Sequence, residues 1–109
     1  MTDDLIRLYD AILERQRLNP ADSRTARLLA AGPKKIAKKV GEEAVEVALD
    51  AMNDDRQGVI NESADLLYNL SVLWTTLNIH PDDVFAEIRR REALYGIAEK
   101  LPKAATGER

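Results

Sequence analysis

The chain contains no cysteine, so disulfides and thiol chemistry are excluded, although that alone does not fix a compartment. No apolar run approaches the roughly 18 residues of a membrane span, and no membrane partner is expected. Basic charge is in deficit: 16 Lys and Arg face 19 Asp and Glu, a formal net charge of −3. General nucleic-acid binding needs a net basic face, so no nucleic-acid partner is expected either. Histidine occurs once, as His80, which leaves no histidine pair for a metal centre. Aromatic residues are sparse. Tyr9, Tyr68, Trp74 and Phe85 read as core or interface residues rather than a base-stacking platform. The opening Met1-Thr2-Asp3-Asp4 is acidic with no apolar stretch behind it, so no signal peptide is expected and the cytoplasm is the default location. Strand-like alternation, internal repeats and low-complexity tracts are all missing.

What is present points to helices. Hydrophobic residues make up 45% and charged residues 32%, the balance of a soluble, charge-rich helical protein. A length of 109 residues predicts one domain over 1–109, with a core small enough to gain from self-association. Leu5, Ile6, Leu8, Tyr9, Ile12 and Leu13 recur at helical spacing, predicting a helix over 3–18 that ends at Asn19-Pro20. Residues 21–33 read as an ordered connector in which Asp22 or Ser23 caps a short helical turn through Leu28 and Leu29. Pro33 opens a second long helix to about Met52, with Ile36, Val40, Ala44, Val47 and Ala51 as its apolar stripe. After the turn Asn53-Asp54-Asp55, a third runs from about Arg56 to Leu77. Its apolar face is too broad for one neighbouring helix, which points to contacts with another subunit. Pro81 begins a fourth. From Gly96 the pattern weakens, and the tail from about 100 is expected to be mobile, at least at its end. The expected architecture is therefore all-α, a bundle of about four helices completed by homodimerisation.

The middle two helices carry the chemistry. Glu43-x-x-Glu46 lies on the first and Glu62-x-x-Asp65 on the second, with Asn69 following on the same edge. If these helices pack antiparallel through the 53–55 turn, the two acidic pairs lie at comparable heights and converge across one groove. Two unit charges 4 Å apart repel by about 4 kcal/mol at an effective dielectric near 20. Such a cluster calls for cations or raised pKa values. Oxygen donors on rigid helices suit Mg²⁺ or Mn²⁺, which bridge carboxylates and phosphates. Either pair alone is ordinary solvated helix surface; it is the symmetric placement about one turn that favours a metal site. A di-iron centre would draw histidines from Glu-x-x-His motifs, and His80 lies outside both helices. A loop or capping role suits it better.

Lys34, Lys35, Lys38 and Lys39 precede the first acidic pair. As i, i+4 partners, Lys38–Glu42 and Lys39–Glu43 would make a solvated face. Lys35 and Lys39 share the side that holds Glu43 and Glu46 and are the better phosphate ligands. Ser23 and Thr25 are further phosphate candidates that also fit as caps. Arg89, Arg90 and Arg91 suit either phosphate or a helix C-terminus.

The block Lys35-Ile36-Ala37-Lys38-Lys39-Val40-Gly41-Glu42-Glu43-Ala44-x-Glu46-Val47, followed by Glu62-Ser63-Ala64-Asp65-Leu66-Leu67-Tyr68, closely resembles the phosphoribosyl-ATP pyrophosphatases of histidine biosynthesis. So do Asp22-Ser23-Arg24-Thr25-Ala26-Arg27-Leu28-Leu29-x-x-Gly32 and Gly96-Ile97-Ala98-Glu99-Lys100. The acidic spacing alone fits the wider MazG-like all-α nucleoside triphosphate pyrophosphohydrolases. Arg24 stands where the family often has an aromatic residue. The resemblance implies Mg²⁺-dependent hydrolysis of phosphoribosyl-ATP to phosphoribosyl-AMP and pyrophosphate by an all-α homodimer. It implies Glu43, Glu46, Glu62 and Asp65 as metal ligands, and Glu42 as a further ligand or a positioner of water. For the proton from the attacking water, Glu42 or Glu46 is the expected acceptor. The rivals are a MazG-like hydrolase of ordinary or damaged nucleotides and a helical dimerisation module without activity.

Overall fold

The computed structural model describes residues 2–95. They form five helices, α1 (Thr2–Arg15), α2 (Arg24–Ala31), α3 (Pro33–Met52), α4 (Arg56–Thr76) and α5 (Pro81–Tyr95), with no strand among the described residues. The tail beyond 100 and the family-like block 96–100 lie outside them.

The α3–α4 hairpin is the scaffold, and these two helices share the fold's most extensive contact. Its turn is closed by two kinds of cap. At the end of α3 the Asp55 N–H donates to the Asp50 carbonyl at 2.9 Å and the Asp54 N–H to the Ala51 carbonyl at 3.1 Å. That is a Schellman closure, and it places Asp54 in the left-handed region at φ 55°. Aspartate tolerates this conformation better than most residues. The Asp55 side chain then caps α4 by accepting from the Gly58 N–H at 2.9 Å. The same closure recurs at the end of α4. There Asn78 has φ 57°, and the Ile79 N–H donates to the Trp74 carbonyl at 2.9 Å.

Helix α1 packs on α4, and α2 lies against both α3 and α4. Helix α5 leans chiefly on α1. The core is small: Ile12, Ile36 and Val72 are fully buried, with Leu8, Leu28, Leu29, Tyr68 and Leu73 packed around them. One residue from each of α1, α3 and α4 thus meets at a single point, and α2 closes it with its two leucines. His80 caps α5, its ring Nδ1 accepting from the Asp82 N–H at 3.0 Å, while Asp83 accepts from the His80 N–H at 2.9 Å. Its capping role is the one expected of it.

Two expectations are corrected. There are five helices rather than about four, because the connector after Pro20 contains a full helix capped by Ser23. Helix α1 stops at Arg15 rather than 18, since beyond Leu13 no apolar position meets the core and Leu18 is exposed. The stripe on α3 also divides. Ile36 is buried and Val40 and Val47 partly so, whereas Ala44 and Ala51 face outward. Val45, Leu49 and Met52 form a second, exposed row at i, i+4 and i+7, with Met52 76% exposed. Ile60 and Leu67 do the same on α4. No described part of the chain covers either row. None of the described helices is long and apolar enough to cross a membrane.

Candidate active site

Glu43 on α3 and Glu62 and Asp65 on α4 converge as the helical pattern requires. Each offers a carboxylate oxygen, and these oxygens lie within 4.8 Å of one another. Such crowding has two visible consequences. The Glu62 carboxyl is pushed up to about 7, first by its hydrogen bond with Glu43, then by burial and the charges of Glu43, Asp65 and Glu46. And Glu43 Oε1 is buried with no hydrogen-bond partner among the described residues. A buried acceptor left unpaired costs roughly 1–3 kcal/mol. An orphaned carboxylate oxygen on α3, with two carboxylates of α4 converging on it, is a donor set that fits a hard divalent cation such as Mg²⁺.

Glu46 and Glu42 stand apart from this group. Both are exposed and border a shallow depression with Lys38, Gly41 and Val45. Glu46 is close enough for its charge to raise Glu62, but it is not among the three converging carboxylates.

The carboxylates open onto a cleft of about 650 Å³ between α2, α3 and α4. Glu43 and Asp65 mark one end. Lys35, Lys39, Arg24 and Arg27 line its walls, with Leu28 and Ala31 as apolar floor and Tyr68 and Asn69 from α4. Along α3, Lys39 and Lys35 follow Glu43 at steps of one and two turns, about 6 and 12 Å. The i, i+4 ion pairs Lys38–Glu42 and Lys39–Glu43 do not form among the described residues. The two lysines of the cleft therefore keep their ammonium groups for another partner. Arg27 is tethered by donating to the Pro20 carbonyl at 2.7 Å, whereas no side-chain hydrogen bond or ion pair ties the Arg24 guanidinium among the described residues.

Ser23 and Thr25 are otherwise engaged. The Ser23 hydroxyl accepts from the Ala26 N–H at 3.1 Å as the α2 cap. Thr25 Oγ1 lies 2.6 Å from Tyr68 Oη. Arg90 and Arg91 pair with Glu87 at 2.8–2.9 Å on α5, which holds the Glu87 carboxyl down at about 2. Arg24 and Arg27 belong to the cleft without having been singled out by pattern. Their i, i+3 spacing puts them on one side of α2, but which way a helix of eight residues faces is decided by its docking, not its own period.

A family model described as Phosphoribosyl-ATP pyrophosphohydrolase matches residues 5–92. A Rhodopseudomonas palustris protein called phosphoribosyl-ATP pyrophosphatase 2 is 59% identical over 108 residues, 99% of this chain and 82% of its own length. Its namesake in Bradyrhizobium diazoefficiens is 58% identical, over 96% of this chain and 78% of that protein. A phosphoribosyl-ATP pyrophosphatase of Gluconobacter oxydans shares 49% over 94% of this chain and 79% of its own. With the match running through all five helices and the acidic motifs, the chain belongs to the phosphoribosyl-ATP pyrophosphohydrolase family.

Proposed function

We propose that this protein is a Mg²⁺-dependent enzyme that hydrolyses phosphoribosyl-ATP to phosphoribosyl-AMP and pyrophosphate, in the cytoplasm, as a step of histidine biosynthesis. The observation that carries the reading is the polarity of one cleft. Two carboxylates, one with an orphaned buried oxygen and both converging with Glu62, mark its end, and four cationic side chains line the rest. A nucleoside triphosphate with bound Mg²⁺ is complementary to that arrangement, since its metal needs oxygen ligands and its phosphates need cations.

Glu43, Glu62 and Asp65 hold the ion, and the exposed Glu46 side chain is free to swing in as a fourth ligand. Bound there, Mg²⁺ would neutralise phosphate charge and lower the pKa of a coordinated water. Glu62 would hold the ion as its carboxylate, having released the proton that crowding favours in the metal-free site. Lys39, one turn from Glu43, offsets charge on the phosphate chain, and Lys35 and Arg24, further along the cleft, suit the substrate's other phosphate, that of the phosphoribosyl group. Arg24 supplies a fork of donors where the family often has an aromatic ring, which suits it to a phosphate rather than a base. Glu42 or Glu46, exposed on α3 beside the carboxylate group, accepts the proton of the attacking water. Ser23 and Thr25 serve the phosphates indirectly, by setting α2 and its arginines.

The same reading makes the protein a homodimer. The uncovered rows Val45, Leu49, Met52 and Ile60, Leu67 support it, because a core of this size leaves much apolar surface for a second copy to cover.

The test is a substrate panel. Purified protein with Mg²⁺ should release pyrophosphate from phosphoribosyl-ATP far faster than from free nucleoside triphosphates. The reverse preference would assign the cleft to ordinary nucleotide hydrolysis. Calorimetry showing no site-specific Mg²⁺ binding would remove the enzymatic reading altogether.

A further inference from the structure

Asn69 lines the cleft although it is only 4% exposed. Its Nδ2 donates to the Asp65 carbonyl at 2.9 Å. That carbonyl can only accept, so the amide's nitrogen is the atom turned to it and Oδ1 is the group's other end. Oδ1 is buried and has no hydrogen-bond partner among the described residues. It can only accept, so what completes it is a donor.

The course of the cleft says which donor. Beyond the acidic end it continues along α3 through Lys39 and Lys35 and along α4 through Tyr68 and Asn69; Glu46 and Glu62 do not line it. Asn69 is one helical turn, about 6 Å, from Asp65. A substrate whose phosphates are gripped at Glu43 and Asp65 must send its nucleoside along that same path. The sugar comes first, because it hangs from the α-phosphate by one oxygen and one methylene, and the base lies further on.

Resting on the function proposed above, we infer that Asn69 Oδ1 accepts a hydrogen bond from a hydroxyl of the ribose that bears the triphosphate. Asn69 is then a specificity-determining residue that selects ribonucleotides over deoxyribonucleotides. A buried acceptor built for a hydroxyl discriminates strongly against its absence, because the deoxy substrate leaves that acceptor unpaired.

The experiment compares kcat/KM for phosphoribosyl-ATP with that for its 2′-deoxy and 3′-deoxy counterparts, altered in the triphosphate-bearing sugar. Wild-type protein should lose about tenfold or more on one of the two deoxy substrates. In Asn69→Leu, which keeps the shape and removes the acceptor, kcat/KM on the ribo substrate should fall and the ribo-to-deoxy ratio should drop to near one. A purely structural role, or one of holding Lys39, would lower all three substrates together and leave the ratio intact, which overturns the inference. Equal wild-type rates on all three overturn it without any variant, so a poorly folding Asn69→Leu does not shield it. Hydrolysis of phosphoribosyl-ATP with an unchanged ratio defeats this inference alone; no hydrolysis of phosphoribosyl-ATP defeats the parent reading as well.

Discussion

Thr25 Oγ1 and Tyr68 Oη lie 2.6 Å apart and tie α2 to α4 beside the cleft. Helix α2 contributes two leucines and one alanine to the interior, and this bond adds a directional tie to them. Tyr68→Phe removes it without changing the ring. The expected cost is about 0.5–1.5 kcal/mol, or a fall in Tm of about 4–8 °C per kcal/mol for a domain of this size. Because Arg24 and Arg27 ride on α2, kcat/KM should fall severalfold as well. Thermal denaturation and steady-state kinetics check both. An unchanged Tm would show that α2 is held by other contacts.

Gly58 and Gly41 should respond oppositely to alanine. A Cβ at Gly58 would sit 2.5 Å from Asp55 Oδ2 and 2.7 Å from Asp50 Oδ2, whereas at Gly41 nothing lies within 4 Å. Gly58→Ala displaces the Asp55 cap and should destabilise by about 1–2 kcal/mol. Gly41→Ala, in a helix interior, should stabilise the isolated fold by about 0.5–1 kcal/mol. Denaturant unfolding of both variants measures this. If Gly41→Ala instead destabilises, a second copy of the chain approaches α3 closely at that point.

Stability should depend on pH through Glu62. Its folded pKa of about 7 lies above the ordinary 4.5, so between those values the folded chain holds a proton that the unfolded chain has lost. The metal-free protein should therefore lose stability as pH rises from about 4.5 to 7 and level off beyond. Mg²⁺ competes with that proton, so its stabilising effect should be largest above pH 7. Melting curves with chelator and with Mg²⁺ across this range test it, and Glu62→Gln should flatten the chelator series. A Mg²⁺ effect independent of pH would contradict it.

Self-association should depend on the uncovered row of α3. Leu49→Asp places a charge at the centre of Val45, Leu49 and Met52. A wild-type dimer in sedimentation should become monomeric in this variant. A dimer that survives the change would move the interface elsewhere.

Much of this molecule was legible in its sequence. Proline at the first position fixed the starts of α3 and α5, and the 3.6-residue pattern located every long helix. Convergence of Glu43 with Glu62 and Asp65 followed from reflecting one motif through the 53–55 turn. Glu46 lies outside the three converging oxygens, yet its charge still acts on Glu62. The cationic wall was half visible: Lys35 and Lys39 share a helix with Glu43, while Arg24 and Arg27 reach the cleft only through the docking of α2. The periodicity of α3 marked one apolar stripe, yet Val45, Leu49 and Met52 form another that the described fold leaves uncovered, and a single chain's pattern does not say which stripe faces its own core.

The most direct test is pyrophosphate release from phosphoribosyl-ATP with Mg²⁺ by wild type, Glu43→Gln, Glu62→Gln and Asp65→Asn, each shown to be folded. Loss of a partner behind a metal ligand typically costs 10–100-fold, so loss of a ligand itself should cost more than about 100-fold in each variant. Near-wild-type turnover in any one of them would contradict a shared metal site at these three carboxylates.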